Sequence, residues 1–311
     1  MARLRFFTLF AAPALAVGLA AALVHCSSED LGEVASDAGA EAGEQESDAA
    51  TPVDPQQIDE DGGPPASDSA TPAPMPDAGP NAPDAAAFYG APRCATANVV
   101  LCDAFEGATI DATKWTQEKN GANTIALDTQ HHARGQKSVR FHMVGTGTFQ
   151  YAWLGDTKVF PQLKDHLFGR MFYMLEKLPT KAMHWTTIEA GGQLPGKTYG
   201  ARMRYGGEYD NFIANYTTTQ GQESAVRSKT PFPIAKWSCF EWEYERATNT
   251  VRFWIDEVPL ADVSVTNPVW VQPPYDKVNL GWQNYQANAA APMNVWMDEV
   301  ALDSARIGCV K

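Results

Sequence analysis

Residues 27–88 contain no lysine and no arginine, and against that absence stand 15 Asp and Glu residues in a background of Ala, Pro, Gly and Ser. A segment so short of apolar side chains cannot bury enough surface to offset the entropy of ordering, so it is expected to be a disordered tether. After the first 26 residues the chain lacks any apolar run long enough to span a bilayer. It has no CxxC pair and no His-rich spacing, which removes the usual zinc frameworks. No stretch carries a 3.6-residue apolar period over three turns, which argues against long helices. A basic patch is missing too. Two of the 24 Lys and Arg residues fall in the first 26 positions and 15 of the 37 Asp and Glu residues in the tether, so residues 89–311 hold 22 of each sign. The net charge of −13 therefore belongs to the tether, the remainder is neutral, and nucleic acid is excluded as a partner.

What is present begins with a leader. Residues 1–26 place Arg3 and Arg5 before an apolar core and a cysteine, the order of a secretory signal peptide. The box "LVHC", ending at Cys26, resembles the lipid-modified end of a bacterial lipoprotein signal, with His25 standing where Gly or Ala is usual. That resemblance implies export, lipidation of Cys26 and, with Ser27 and Ser28 following, an outer-membrane or cell-surface anchor. An ordinary cleaved signal with secretion, or an uncleaved anchor, are the alternatives. The other cysteines are Cys94, Cys102, Cys239 and Cys309, an even number in an exported chain, with three possible pairings. Cys94 with Cys102 closes a tight loop at the domain entrance, which leaves Cys239 with Cys309.

From residue 89 onward, short segments rich in Val, Phe, Tyr, Trp, Ile and Thr alternate with Gly, Pro, Asn and Asp turns. About a dozen strands in one domain predict an all-β sandwich or jelly roll. Thirteen segments read as strands, among them "SVRFHMV", "HWTTIEA", "GARMRYG", "WSCFEWEYE", "LADVSVT", "KVNLGWQNY" and "NVWMDEVALD". Strand alternation puts Phe240, Trp242 and Tyr244 on a packed face and Cys239, Glu241, Glu243 and Glu245 on a wet one. It sets Arg202 and Arg204 opposite Tyr199, Ala201, Met203 and Tyr205. In the last strand it groups Val295, Met297, Glu299 and Ala301 against Trp296, Asp298, Val300 and Leu302, so that Asp298 and Glu299 point opposite ways.

The order "VVLCDAFEG", "GQKSVRF", "FGRMFYML", "WSCFEWEYE", "VRFWIDE" and "VWMDEVALDSARIG" resembles the concanavalin A-like jelly rolls. More specifically, it resembles the glucuronan-lyase-like group, which includes a cellulose-induced secreted fungal protein. The resemblance covers residues 92–309. It implies a polysaccharide ligand, with hydrolases, lyases and plain sugar-binding modules all found on the fold. It also implies a structural Ca²⁺ joining the first and last strands, held by Glu106, Asp298 and Ser138 or neighbouring carbonyls, a hard-oxygen set that suits that ion. The expected molecule is a monomer.

For a lyase, the resemblance implies a base, an acid and a group that neutralises the substrate carboxylate, all on the concave sheet. The candidates are His184 as base, Arg202 or Arg204 as neutraliser, and Tyr285 or Tyr216 as acid. Arg140, His142, Asn215, Tyr216, Gln283 and Trp282 are expected to bind substrate, and Trp153 and Trp185 are further candidates for sugar stacking. A retaining β-glucanase would need two carboxylates about 5–5.5 Å apart, and Glu241, Glu243 and Glu245 depart from the spacing used by the glucanases of this fold. A non-catalytic lectin-like or structural lipoprotein is the competing class.

Overall fold

The computed structural model describes residues 85–266 and 270–311, so the leader, Cys26 and nearly all of the tether lie outside it. Sixteen strands and three short 3₁₀ turns make up the regular structure of the described residues. The first eight strands are β1 (Leu101–Asp103), β2 (Thr116–Lys119), β3 (Thr124–Asp128), β4 (Ser138–Met143), β5 (Gln150–Asp156), β6 (His166–Leu175), β7 (His184–Gln193) and β8 (Gly200–Glu208). The rest are β9 (Asn211–Thr217), β10 (Glu223–Pro231), β11 (Ser238–Glu245), β12 (Thr250–Ile255), β13 (Val258–Pro259), β14 (Val265–Thr266), β15 (Lys277–Asn284) and β16 (Met293–Asp303).

The strands form a jelly-roll sandwich of two antiparallel sheets. One has nine strands in the order β13-β12-β11-β6-β16-β4-β3, with β1 added on β16 and β14 on β12. The other has seven, β10-β9-β8-β7-β15-β5-β2. Period-2 alternation fills the space between them. Phe240, Trp242 and Tyr244 of β11 face Met203 and Tyr205 of β8 in one continuous apolar cluster, with the Tyr205 and Tyr244 rings stacked at 5.8 Å. Polar β2 and β10 carry no strand signal in the sequence because each is a sheet edge, where exposed side chains are tolerated and even useful. The segment "LADVSVT" is a 3₁₀ turn at Ala261–Val263 followed by the two-residue β14.

The expected wet face of β11 is not wet. Glu241 and Glu243 are 1% and 3% exposed. The C-terminal tail lies over Glu241, which accepts the Gly308 N–H and an Arg306 N–H at 2.7 Å each, while Glu243 pairs with His166 at 2.8 Å and with Arg252. Burial pushes the Glu241 carboxyl up. The disulfides join Cys94 to Cys102 and Cys239 to Cys309, Cα atoms 5.3 and 6.0 Å apart.

Strand β16 breaks simple alternation. Asp298 pairs with Phe172 and Ala301 with Arg170, so β16 has one residue too many, a β-bulge at which Glu299 takes φ 47°. Val295 and Met297 before the bulge, and Val300 and Leu302 after it, all reach the core. Asp298 and Glu299 therefore share the outer face, which corrects the reading that they point opposite ways.

Glu299 lies in a sealed chamber. Its Oε2 accepts from Arg134 Nη1 at 2.8 Å and Arg170 Nη2 at 3.1 Å, and its Oε1 accepts the Arg93 N–H at 2.6 Å, with all three charged side chains fully buried. Arg134 also donates to the carbonyls of Phe88 (2.6 Å) and Cys309, and its guanidinium lies 4.6 Å from the Phe172 ring centroid. Burial, and the neighbouring Arg134, pull the Arg170 guanidinium down to about 10. One carboxylate thus ties the chain entering the domain to the chain leaving it.

Glu299→Gln leaves two buried cations short of one anion and should lower the free energy of unfolding by about 3–5 kcal/mol in urea titrations. Asp165→Asn, which removes the exposed pair with Arg246 (2.8 Å), should change it by less than about 1 kcal/mol.

Candidate functional site

With the outer face of the nine-stranded sheet covered around Glu299 by both chain segments, the outer face of the seven-stranded sheet is the one that carries a run of clefts. Register determines what stands there. Arg204 on β8 is opposite Asn215 on β9 and Glu189 on β7, and Glu189 is opposite Asn279 on β15. One step along, Thr186 is flanked by Gly206 and Gln283, and Gln283 by Tyr151 of β5. At the end of the row, His184 lies across from Glu208, and its carbonyl accepts the Tyr285 N–H at 3.2 Å.

These rows are in phase because β7 bulges. Thr187 is an extra residue relative to β8, so Thr186 and Glu189 face the same side even though they are three apart. Simple alternation from His184 would send Glu189 into the core.

Arg204 is the hub. It donates to Glu189 at 2.7 Å, to Glu223 at 2.6 Å and to Asn215 at 3.0 Å, and its guanidinium lies 5.8 Å from the Tyr285 ring centroid. Burial works against its charge, but Tyr285, Glu189 and Glu223 outweigh it and raise its pKa. Burial also raises the Tyr285 phenol, against the pull of Arg204, and its hydroxyl is 3.3 Å from Thr186 Oγ1. The phenol is therefore a proton donor at neutral pH. His184, Thr186, Arg204, Tyr285 and Gln286 line one pocket.

His184 Nε2 is hydrogen-bonded to Glu208, which also pairs with Arg227. Burial raises the Glu208 carboxyl, but the hydrogen bonds from Arg227 and His184 prevail and hold it below the usual carboxylate range. A neutral imidazole that donates Nε2–H to this carboxylate leaves Nδ1 free to accept a proton. Two positions from Arg204 on the same strand face, Arg202 is exposed, and its guanidinium has no hydrogen-bond or ion-pair partner among the described residues. It lines the continuation of the cleft with Lys277, Asn279 and Gln283, where Lys277 pairs with Glu118 at 2.6 Å.

His184, Arg202, Arg204, Asn215, Gln283 and Tyr285 thus share one face. Five expected ligand contacts do not, Trp185 among them, since it is 1% exposed in the core. Tyr216 points inward, 5% exposed and 4.0 Å from the Trp270 ring, because it alternates with Asn215. Trp282 alternates with Gln283 and is wholly buried, stacked on Trp185 at 5.7 Å. Arg140 and His142 do share a strand face, but their strand, β4, belongs to the nine-stranded sheet, where His142 pairs with Asn294 at 2.8 Å. Trp153 does line the cleft. Glu118, Glu189, Glu208, Glu223, Thr186 and Lys277 escaped sequence reasoning, three of them because they lie on edge strands or beyond the bulge.

At the far side of the molecule, Asp298 and Glu106 grip one turn. Asp298 accepts the N–H groups of Ala133 and Arg134 at 2.9 Å and of Glu299 at 2.7 Å. Glu106 accepts those of Gln136 and Lys137 at 2.8 and 3.1 Å, and Ser138 Oγ donates to the His131 carbonyl at 2.6 Å. Gly135 takes φ 68° here, and a β-carbon on it would sit 2.1 Å from Glu106 Oε1. Burial pushes the Asp298 carboxyl up to about 7, against its three backbone donors.

No curated protein matches the chain. Among the solved structures that share its fold are two with TM-scores above 0.5. A cellulose-induced protein, Cip1, is 22% identical with a TM-score of 0.53, over 67% of this chain and 99% of that one. An endo-β-1,4-glucuronan lyase from the fungus Trichoderma reesei is 9% identical with a TM-score of 0.51, over 67% of this chain and 96% of that one. The family model for the polysaccharide lyase-like, Cip1-like core domain matches residues 104–305, and the chain belongs to that family.

Proposed function

We propose that the protein binds polysaccharide in the cleft of its seven-stranded sheet and cleaves uronic-acid glycans by β-elimination. The observation that carries this reading is the convergence of His184, Tyr285 and Arg204 in one pocket, with the unpaired Arg202 beside it on the same strand face. In this scheme Arg202 meets the substrate carboxylate and stabilises the charge that develops on it, because the charge of Arg204 is already matched by Glu189 and Glu223. His184 Nδ1 takes the proton next to that carboxylate. The bond to the glycosidic oxygen breaks, and the Tyr285 hydroxyl returns a proton to that oxygen.

The same pairing of Arg204 favours a second reading, a binding module without turnover. A β-glucanase finds no support in Glu241 and Glu243, which are buried and paired on the opposite sheet. Incubation with soluble uronans separates the readings, since elimination yields an unsaturated product that absorbs in the ultraviolet. Wild-type protein should produce that absorbance, and Tyr285→Phe should slow it by about 10²–10⁴-fold with little loss of binding. Glycan binding without any absorbance would leave the module and remove the lyase.

Surface tethering through Cys26, with polysaccharide held outside the cell, is part of the same proposal. Acyl labelling that persists in Cys26→Ser would sink the anchor.

A structural Ca²⁺ is also proposed at the turn gripped by Asp298 and Glu106. The donors are hard oxygens, and Asp298 is a buried carboxylate with no side-chain cation hydrogen-bonded to it among the described residues, so Glu106, Asp298, Ser138 and the His131 carbonyl fit the ion in type. Without a cation, a folded-state pKa raised to about 7 stabilises the fold only while the carboxyl stays protonated. That contribution is full below the unfolded value of about 4 and is lost as pH rises through about 7. In chelator, Tm should therefore fall across this window, and added Ca²⁺ should abolish the fall. Identical Tm profiles with and without the ion would rule the site out.

A further inference from the structure

Phe149 breaks two rules at once. It is a large apolar side chain left 52% exposed, and it takes φ 48°, a left-handed conformation that is costly for a bulky residue. The surrounding backbone is built to keep it there. Asn120 donates its side-chain N–H to the Phe149 carbonyl at 2.7 Å and accepts the Tyr151 N–H at 2.9 Å on its side-chain oxygen. Asn123, fully buried, donates to Asn120 Oδ1, Gln150 Oε1 and the Tyr151 carbonyl at 3.2–3.3 Å and accepts the Val144 N–H at 3.1 Å. These two asparagines fix the chain on either side of Phe149, so the exposed ring is held in place.

The ring stands beside the reactive groups. Its centroid is 6.3 Å from that of Tyr285 and 5.8 Å from that of Tyr151. Phe149, Tyr151 and Trp153 follow at every second position and line the same part of the cleft as Arg202 and Lys277. One wall of this cleft is thus aromatic, while the other presents the free guanidinium of Arg202 beside Glu189 and the Lys277–Glu118 pair. A uronan has the matching form, with an apolar C–H face on each sugar ring and a carboxylate at its edge.

We infer that Phe149 and Tyr151 are a sugar-stacking subsite next to Tyr285, which holds the ring of an acidic glycan by its apolar face while Arg202 takes its carboxylate. This subsite rests on the proposed cleft but does not require turnover. It commits the ligand to acidic polysaccharide, because a neutral glucan would use the aromatic wall and leave the cation unpaired.

The test measures binding of the full chain to soluble uronans by calorimetry, with a neutral glucan as control. Phe149→Asn removes the ring while keeping a residue that tolerates the left-handed backbone. It should weaken uronan binding about tenfold with Tm unchanged, and Phe149→Tyr should restore it. If uronan cleavage is observed, Phe149→Asn should raise KM and leave kcat nearly as it was. Uronan binding by Phe149→Asn equal to wild type would overturn the subsite and leave the proposed function standing. A loss of binding that Phe149→Tyr does not restore, or one matched by a fall in Tm, would overturn it as well, since the residue would then be structural. Neutral glucan bound as tightly as uronan would overturn the assignment of substrate class. Ring-dependent uronan binding with no unsaturated product would support the subsite and remove only the lyase chemistry.

Discussion

The buried carboxylate of Glu299 is the constraint on which the arrangement depends. Two guanidinium groups, from Arg134 and Arg170, converge on it in the interior, and the desolvation of three charges is offset only as far as their donors find acceptors. Every nitrogen of Arg134 finds one, at Glu299, Phe88 and Cys309, whereas Arg170 reaches the carbonyls of Glu299 and Lys311 and keeps a buried Nε without a partner among the described residues. The chain entering the domain and the chain leaving it must therefore both lie over the nine-stranded sheet. The Cys239–Cys309 bond and the small apolar cluster of Phe88, Phe172 and the two cysteines close the same lid. A sandwich has two outer faces, and this network occupies one of them. A ligand is left with the seven-stranded sheet.

The electrostatics of that second face follow a different logic. Arg204 is surrounded by acceptors and fixes positions: it holds Glu189, Asn215 and Glu223 and lies against Tyr285. Arg202, two residues away, has no acceptor among the described residues and is available to a ligand anion. The two arginines look equivalent in the sequence, but one is the scaffold of the pocket and the other its open charge. His184 is likewise made specific by its partner, since Glu208 and Arg227 fix the imidazole through Nε2.

How much of this was legible depended on what sort of rule each residue obeys. Alternation placed Arg202 with Arg204 and Gln283 with Tyr285 correctly, because β8 and the end of β15 obey a strict period of two. The same rule, applied consistently, also excludes Tyr216 once Asn215 faces the cleft, and Trp282 once Gln283 does. At those two positions residue type and phase point different ways, and phase decides. Glu189 and Glu299 were out of reach for a different reason: Glu299 sits at a bulge and Glu189 just beyond one, and a one-residue insertion against a neighbouring strand leaves no mark in the local pattern. Arg140 and His142 failed at a higher level. Their shared face is real, but which sheet β4 joins is decided by pairing with β16, some 150 residues away.

The two halves of the sandwich are linked through strain as well as through the core. The cleft carries features that cost stability: an aromatic residue in a left-handed conformation, an exposed ring, and a buried arginine among carboxylates. None of these is corrected locally by further apolar burial. They persist because the strands beneath them are held by a continuous core, and the opposite sheet is fastened by the Glu299 network and a disulfide spanning 70 residues. With one sheet sealed by that network, the other remains open, charged and strained.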